Sequence, residues 1–246
     1  NGFTLGNNGG GNNSGSTYVA WAWKAGGAAS SNTDGTITSS VSANAAYGFS
    51  VVTYTGNTSA GATVGHGLSS DPKFILVKCR NAAEPWVAFH TSTGNTVGMR
   101  LTAAAADSGY NWWNSTTPSS TVFTIGNTGA VNNANTYVAY VWSEVVGFSK
   151  FGSYTGNGSA DGPFVFTGFR PRWVMIKNYS SSGNLWTILD SFRTTGTNGK
   201  NRLYANDSYH EDSSIDVSFN ATDFSLLTSN GDVNGSGKSY IYWAIA

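Results

Sequence analysis

The chain has 246 residues, a formal net charge of +0 at pH 7 and only 11% charged residues, against roughly 25% in an ordinary soluble domain. Aromatic residues make up 14% of it, too many for a chain that low hydrophobicity and high charge keep disordered. It has no cationic run and no apolar segment near the ~20 residues of a membrane-spanning helix. We therefore expect a folded protein that neither binds nucleic acid nor inserts into a membrane.

The first 25 residues have the sequence pattern of the C-terminal end of a repeat. FTLGNN (3–8), a glycine and asparagine run and YVAWAW (18–23) reproduce the last two segments of a unit that occurs twice further on. We interpret residues 1–25 as the C-terminal strands of a truncated preceding repeat, in what we expect to be a longer polypeptide. We do not expect them to fold onto the next unit, because their counterparts there already exist at 123–142. Residues 26–47 form a small-residue connector with one predicted edge strand at 36–41.

Two complete units follow, at residues 48–144 and 147–246. The tetrapeptide YTGN occurs in both, one hundred residues apart, so an internal duplication is the first thing to test. The flanking segments repeat in the same order, with GFS, PKFILVK and FTIGN to YVAYVW at 48–50, 72–78 and 123–142, and GFS, PRWVMIK and FSLL to YIYWAI at 147–149, 171–177 and 224–245.

Within each unit, apolar and polar residues alternate with period two between clusters of turn residues, which is typical of β-strands. Two amphipathic sheets bury their apolar faces against each other, so we predict an all-β fold: two tandem antiparallel β-sandwich repeats, jelly-roll-like, of about 100 residues each. The last strand of each unit is apolar on both faces and should lie centrally. The run before it should be a hairpin loop, and 102–108 is the one plausible helical stretch.

Few residues suit catalysis or metal binding. Cys79 lies in an apolar run and is expected in the core, and His66, His90 and His210 lack the close spacing of a zinc site. Both units have a tryptophan at the same place, Trp86 and Trp186. Four residues later the first unit has His90 and the second has Asp190, so the strand position is kept while its chemistry changes. We predict a non-enzymatic protein without metal or cofactor.

The densest acidic run is read as a solvated loop, with a calcium site as the alternative that the sequence leaves open. Its members are Asp207, Glu211, Asp212 and Asp216.

Aromatic side chains are the remaining binding candidates, because sugars stack their apolar faces on such rings. In an extended chain the adjacent Trp112 and Trp113 would point to opposite faces, so we expect one in the core and the other exposed. The candidate ligand-binding residues are Tyr110, Trp112, Trp113, Tyr179, Tyr209 and His210.

The motifs GFSxxxYTGN, PKF(I/V)(L/I)VK and FTIGN to YVAYVW, together with SNTDGTITSSVSAN at 31–44, resemble the roughly 100-residue repeats of tail-fibre and related structural proteins of marine bacteriophages. The resemblance implies a non-enzymatic part of the virion, extracellular and often in a trimeric fibre. Its partners would be copies of itself, other virion proteins and a host-surface glycan. The family supplies no catalytic or receptor-binding residue that matches a position here.

Two other functions remain open at this point. One is a secreted lectin-like or adhesin module that binds glycans, and the less favoured one is a polysaccharide depolymerase. A depolymerase needs two carboxyl groups at a fixed separation, and the two units share no repeated acidic pair.

Overall fold

The computed structural model describes residues 2–193 and 201–246, and the backbone alone of 198–199. Over these residues the chain is nearly all β, as predicted, with antiparallel sheets and two helices of one turn each. The helices are α1 (Gly9–Asn12) and α2 (Gly231–Asn234), and a 3₁₀ turn spans Ala45–Tyr47. The strands are β1 (Ser30–Asn32), β2 (Ser39–Asn44), β3 (Phe49–Thr55), β4 (Ala62–Gly65), β5 (Pro72–Cys79), β6 (Val87–His90), β7 (Met99–Arg100), β8 (Val122–Ile125), β9 (Thr136–Ser143), β10 (Ser149–Thr155), β11 (Phe164–Phe166), β12 (Trp173–Asn178), β13 (Thr187–Asp190), β14 (Asn198–Gly199), β15 (Arg202–Tyr204), β16 (Val217–Phe219), β17 (Asp223–Leu226) and β18 (Ser239–Ile245).

Each repeat forms a sandwich of one large and one small sheet. In repeat one the large sheet has the order β1-β2-β3-β9-β5-β6-β7 and the small sheet pairs β4 with β8; in repeat two the orders are β10-β18-β12-β13-β15 and β11-β17-β16-β14. A separate apolar core fills each sandwich, around Val52 and Phe123 in repeat one and around Val174 and Phe224 in repeat two. The same strand order, β3-β9-β5-β6-β7 against β10-β18-β12-β13-β15, runs through both large sheets, which is the relationship that the duplicated sequence predicts.

The prediction for the last strand of each repeat is confirmed. β9 pairs with β3 and β5, and β18 pairs with β10 and β12, so both lie at the centre of their sheets. The predicted hairpin before this strand is wrong, since β8 and β17 belong to the small sheets. The asparagine-rich turn therefore carries the chain from one sheet of the sandwich to the other.

Two further expectations also need correction. The connector at 26–47 contributes two strands, β1 and β2, to the large sheet of repeat one, where one edge strand was expected. Residues 102–108 contain no helix: they form bends and a bridge from Asp107 to Gly98. This stretch of repeat one contacts repeat two, because the backbone amide of Ala106 donates to the carbonyl of Tyr179.

Residues 2–25, called the N-terminal segment below, contain helix α1 but no strand. They lie against the two repeats and complete neither sandwich. Cys79 is a free, buried thiol in the core of repeat one, as predicted. Among the described residues, no helix has the length and hydropathy needed to cross a bilayer.

Candidate functional site

The repeated tetrapeptide YTGN joins the loop after β3 or β10 to the turn before β9 or β18 of the same repeat. In repeat one the hydroxyl of Tyr54 donates to the carbonyl of Val131 at 2.8 Å, and the amide of Asn57 donates to Oδ1 of Asn132 at 2.8 Å. The side-chain amide of Asn132 donates in turn to the carbonyl of Ser59. Asn132 is fully buried, so these bonds satisfy a polar group that would otherwise be costly to bury.

Repeat two makes the same contact with the same atoms. Tyr154 donates to the carbonyl of Val233 at 2.6 Å, and the amide of Asn157 donates to Oδ1 of Asn234 at 2.8 Å. The residues on the receiving side, 128–133 in repeat one and 230–235 in repeat two, are called the Asn turn below. The repeated YTGN is a sequence signal for this contact, but nothing in the sequence singled out Asn132 or Asn234 as its partners.

The glycine of YTGN is required by close approach. A Cβ on Gly56 would lie 2.1 Å from the carbonyl oxygen of Asn133, and a Cβ on Gly156 would lie 2.4 Å from that of Gly235. No side chain fits at these distances, because backbone atoms fill the space. The tetrapeptide therefore recurs as a packing requirement of the sandwich.

The two large sheets face each other across a cluster of aromatic rings, called the inter-repeat aromatic cluster below. Trp243 is its centre, with ring centroids 4.6 Å from Trp142, 4.7 Å from Trp173 and 5.7 Å from Phe151. All four rings are buried. Such pairs add about 0.5–1.5 kcal/mol each beyond the area that they bury, so this interface holds the repeats in one relation.

Hydrogen bonds cross the same interface. The indole of Trp186 donates to the carbonyl of Arg100 at 3.0 Å, and the ammonium of Lys177 donates to the carbonyl of Thr102 at 3.3 Å. Lys177 is 1% exposed, and burial lowers its pKa to about 8. These donors bind carbonyl groups of repeat one and fix the register between the sheets.

The N-terminal segment packs on the aromatic cluster through two tryptophans. The ring of Trp23 lies 5.3 Å from Trp243, 5.7 Å from Trp173 and 6.3 Å from Trp142, measured between centroids. The indole of Trp21 donates to Oδ2 of Asp190 at 3.3 Å. The face of this segment that carries Trp21 and Trp23 therefore belongs to the interface between the repeats.

Ion pairs surround the Trp21 contact. The guanidinium of Arg193 donates to Asp190 at 2.7 Å, pairs with Glu211 and lies 5.7 Å from the ring of Trp21. The backbone amides of Phe192 and Arg193 also donate to Asp190, at 3.0 Å each. Asp190 is buried, and its oxygens are fully engaged in holding this loop.

Two of the three histidines, His66 and His90, are buried and hydrogen-bonded. His90 is 1% exposed; its Nε2 donates to the carbonyl of Tyr242 at 3.1 Å and its Nδ1 accepts from the amide of Ser92. Burial lowers the pKa of His90 to about 4, against the opposing effect of the carbonyl. His66 is buried too, and burial lowers its pKa. The positions that differ between the repeats, His90 and Asp190, each hold a distant part of the chain, Tyr242 of repeat two and Trp21 of the N-terminal segment.

Trp112 and Trp113, predicted as one core and one exposed residue, are both buried, at 2% and 0% exposure. The prediction that one of them faces solvent is wrong, because the chain is not extended there. The two tryptophans begin a turn in which Asn114 and Ser115 have φ of 48° and 49°, so alternation of side chains does not apply. Both indoles pack in the core of repeat one.

The other predicted residues fall in separate places. Tyr110 is 37% exposed and stacks on Trp112 at 4.9 Å, with the guanidinium of Arg100 4.5 Å from its ring. Tyr179 is half-buried against the aromatic cluster. Tyr209 is 64% exposed, and the exposed His210 lines a cavity of ≈ 650 Å³ beside the N-terminal segment. Among the described residues, no hydrogen bond, ion pair or ring contact joins Tyr110 to Tyr209 or His210.

The acidic run does not converge on one point. Asp212 accepts from Arg202 at 2.8 Å and from the hydroxyl of Ser214, while Glu211 pairs with Arg193. Burial raises the pKa of Asp212, but the bonds from Ser214 and Arg202 outweigh it and lower the pKa to about 2. Within 2–193 and 201–246, no group of three or more potential ligands is placed to hold a metal ion.

Comparison with known proteins adds one result. Neither the curated proteins nor the solved structures that were compared with the chain match it. One family model matches residues 1–246, described as a domain of unknown function, DUF7483. The chain therefore belongs to the DUF7483 family.

Proposed function

We propose that the chain is a non-enzymatic structural and attachment module, a segment of a bacteriophage tail fibre or spike, exposed on the outside of the virion. The observation that carries the proposal is the inter-repeat aromatic cluster. It buries the outer faces of both large sheets against each other, so that two sandwiches become one body. A protein selected for mechanical durability and surface display needs this property more than it needs a cleft.

The use of the ionisable residues supports the non-enzymatic part of the proposal. His90, Asp190 and Lys177 are buried and hydrogen-bonded to neighbouring backbone or indole groups. Each has a structural role that explains its burial without a reaction. The sequence resemblance to marine phage fibre repeats supplies the biological setting.

The direct test is location. Gold-coupled antibodies raised against this chain should label one defined position on the tail in electron micrographs of virus particles whose genome encodes it. Labelling of the capsid, or of free protein only, would contradict the proposal. Mass spectrometry of the purified particles provides an independent check.

Self-association follows from the fibre proposal and has a candidate surface. Phe164 and Phe166 lie on β11, an edge strand, and are 62% and 60% exposed. Exposed apolar edge strands are typical association sites. We expect the chain to form trimers in sedimentation analysis and Phe164→Ser with Phe166→Ser to shift it towards monomer, whereas Tyr47→Ser, an exposed aromatic elsewhere, should not.

Glycan binding is the second candidate, because two exposed tyrosine rings are available for stacking. Tyr110 is held flat on Trp112, and Tyr209 contacts Tyr204 edge-on at 6.2 Å. On a glycan array, Tyr110→Ala or Tyr209→Ala should abolish any binding, while Tyr47→Ala, 49% exposed in the parent, should leave it unchanged. Equal binding by all four proteins would exclude these rings as the sugar site.

A further inference from the structure

We propose that the outer face of the large sheet in repeat one carries a binding site for an acidic sugar, a saccharide with a carboxylate or sulfate group. The site is a groove between the β1–β2 hairpin and Arg80, at the end of β5, and it is called the Arg80 groove below. The inference deepens the attachment role proposed above by naming a class of ligand, and it rests on that role for its biological setting only.

The Arg80 groove is polar and free of acidic groups. Its volume is ≈ 340 Å³, within the usual range of small-molecule sites. No carboxyl group is found among the described residues that line it, so its formal charge comes from Arg80 alone. The other side chains on which the inference rests all carry hydroxyls: Ser31, Thr38, Ser40, Thr53, Thr55 and Thr136.

Strand pairing brings these hydroxyls together on one face. The ring of Tyr54 enters the core of repeat one, so Thr53 and Thr55 lie on the opposite face of β3. In the ladders of this sheet Ser40 lies opposite Thr53, and Ser31 lies opposite Ser40. Because neighbouring strands are about 4.8 Å apart, these positions form a regular row of hydroxyls across three strands.

The polar groups of the Arg80 groove are not engaged by the described part of the chain. None of the six hydroxyls makes a hydrogen bond there, whereas Ser42, on the same face of β2, donates to the carbonyl of Gly27 at 2.7 Å. Arg80 is exposed, and its guanidinium makes no ion pair, hydrogen bond or ring contact within the same residues. Only its backbone amide is bound, to the carbonyl of Thr136 at 2.8 Å.

This combination of groups determines the class of ligand. The one aromatic residue beside the groove, Tyr54, has its ring in the core, so the groove offers no ring on which a neutral sugar could stack. A free guanidinium binds a carboxylate or sulfate through paired hydrogen bonds. Hydroxyls both donate and accept, which matches the hydroxyls of a saccharide. A ligand with both kinds of group is an acidic sugar.

Repeat two provides an internal comparison. PRWVMIKNY at 171–179 aligns with PKFILVKCR at 72–80, so Tyr179 stands at the position of Arg80. The first strand of repeat two, β10, lies at the edge of its sheet, and no hairpin like β1–β2 flanks it in the described structure. The groove is therefore specific to repeat one, and the connector at 26–47 forms one wall of it.

The test measures the binding of acidic sugars to the full chain by titration calorimetry. The first probe is trigalacturonate, and its control is the full methyl ester, which has the same rings without the charge. The second probe is the sulfate monoester of galactose, with galactose as its control. We expect at least one acidic probe to bind about tenfold or more tightly than its neutral control, as for a charge-assisted pair.

Variants then locate the binding site. Arg80→Ala should abolish the preference for the acidic form, and Arg80→Lys should restore only part of it, because an ammonium cannot form the paired bonds. Thr53→Val keeps the shape of an outer-face side chain and should weaken binding through the lost hydroxyl. Arg170→Ala is the matched control, because Arg170 is exposed and does not line the groove; it should bind like the parent.

Several results would overturn the proposal. They are no binding of either acidic probe at millimolar concentration, equal binding of the acidic and neutral forms, or an equal loss in Arg170→Ala and Arg80→Ala. Displacement of the bound sugar by an equal concentration of inorganic sulfate would show an anion site without sugar recognition. Equally tight binding of a tetra-aspartate peptide would show a peptide site, and either result would also overturn it. Labelling of the phage tail is unaffected by these outcomes, so the proposed function fails or holds separately.

Discussion

The imidazole Nε2 of His90, in repeat one, donates a hydrogen bond to the carbonyl oxygen of Tyr242, in repeat two, at 3.1 Å. A carbonyl can only accept, so a proton lies on Nε2; because Nδ1 accepts from the amide of Ser92, it carries none, and the ring is neutral. The Phe74 and Phe151 rings lie beside it, with centroids at 6.2 Å each. Protonation would place a charge between two sheets with no carboxylate hydrogen-bonded to the ring.

This burial predicts acid sensitivity. The folded-state pKa of His90 is about 4, below the ordinary value of 6.5 for histidine, so the unfolded chain binds more protons between these pH values. Stability is therefore full above pH 6.5 and falls as pH drops towards 4, by roughly 3 kcal/mol for this group. Urea unfolding at pH 7 and pH 4.5 should show a smaller pH effect in His90→Gln than in the parent, while the exposed control His210→Gln should follow the parent. Parallel behaviour of His90→Gln and the parent would refute the assignment.

The aromatic cluster predicts that the repeats unfold together. Trp243→Ala removes the central ring, which should cost about 3–5 kcal/mol and uncouple the sandwiches. We expect calorimetry to show one transition for the parent and two for Trp243→Ala. Trp113→Ala serves as the matched control, because that indole lies inside repeat one; it should lower stability without separating the transitions. Two transitions in the parent would argue against a single rigid body.

The YTGN contact predicts a graded series of asparagine variants. Asn132→Ala and Asn234→Ala remove fully buried side chains and leave the part-buried amides of Asn57 and Asn157 without their acceptors, at about 1–3 kcal/mol each. Asn12→Ala is the internal control: the amide of Asn12 donates to the carbonyl of Asn8 as that of Asn234 donates to Asn230, but Asn12 is exposed and no YTGN loop covers it in the described part of the chain. Denaturant midpoints should fall for the first two variants and stay within about 0.5 kcal/mol for the third. A large loss in Asn12→Ala would contradict the assignment of the stability loss to the YTGN contact.

Attachment of the N-terminal segment should depend on Trp23. Trp23→Ala removes contacts with three indoles, and we expect limited proteolysis to cleave near residues 17–25 faster than in the parent. Tyr18→Phe affects only the bonds from Tyr18 to Gly9 and from Asn13 to Tyr18, in the turn at residues 8–13, and should leave cleavage of this stretch nearly unchanged. Faster cleavage of Tyr18→Phe than of Trp23→Ala would show that the turn at residues 8–13, and not the contacts of Trp23, holds the segment.

The duplication and the central strands could be predicted because they depend on local chemistry. Alternation places one face of β3 or β12 in a core whatever the neighbours are, and the two apolar faces of β9 and β18 require cover on both sides. The assignment of strands to sheets was not predictable. The Asn turn between β8 and β9 leads from one sheet to the other, but it is built from the same residue types that form a hairpin within one sheet.

The binding candidates show the corresponding limit. The alternation of an extended strand predicts that Trp112 and Trp113 point to opposite faces. The left-handed residues Asn114 and Ser115 instead form a turn, and both rings lie in the core. The partners of the YTGN loop, Asn132 and Asn234, lie some 75 residues away from it. Only the folded chain brings such distant residues together.

The pairing of first and last strands has a mechanical consequence. Phe49 lies opposite Trp142, and Ser149 lies opposite Ile245, so the chain enters and leaves each sandwich at the same end. Successive repeats then stand side by side, and a longer array would grow in breadth and not in length. Tension applied through the backbone would part neighbouring strands one bond at a time, so resistance to pulling must come from the tryptophans between the sheets.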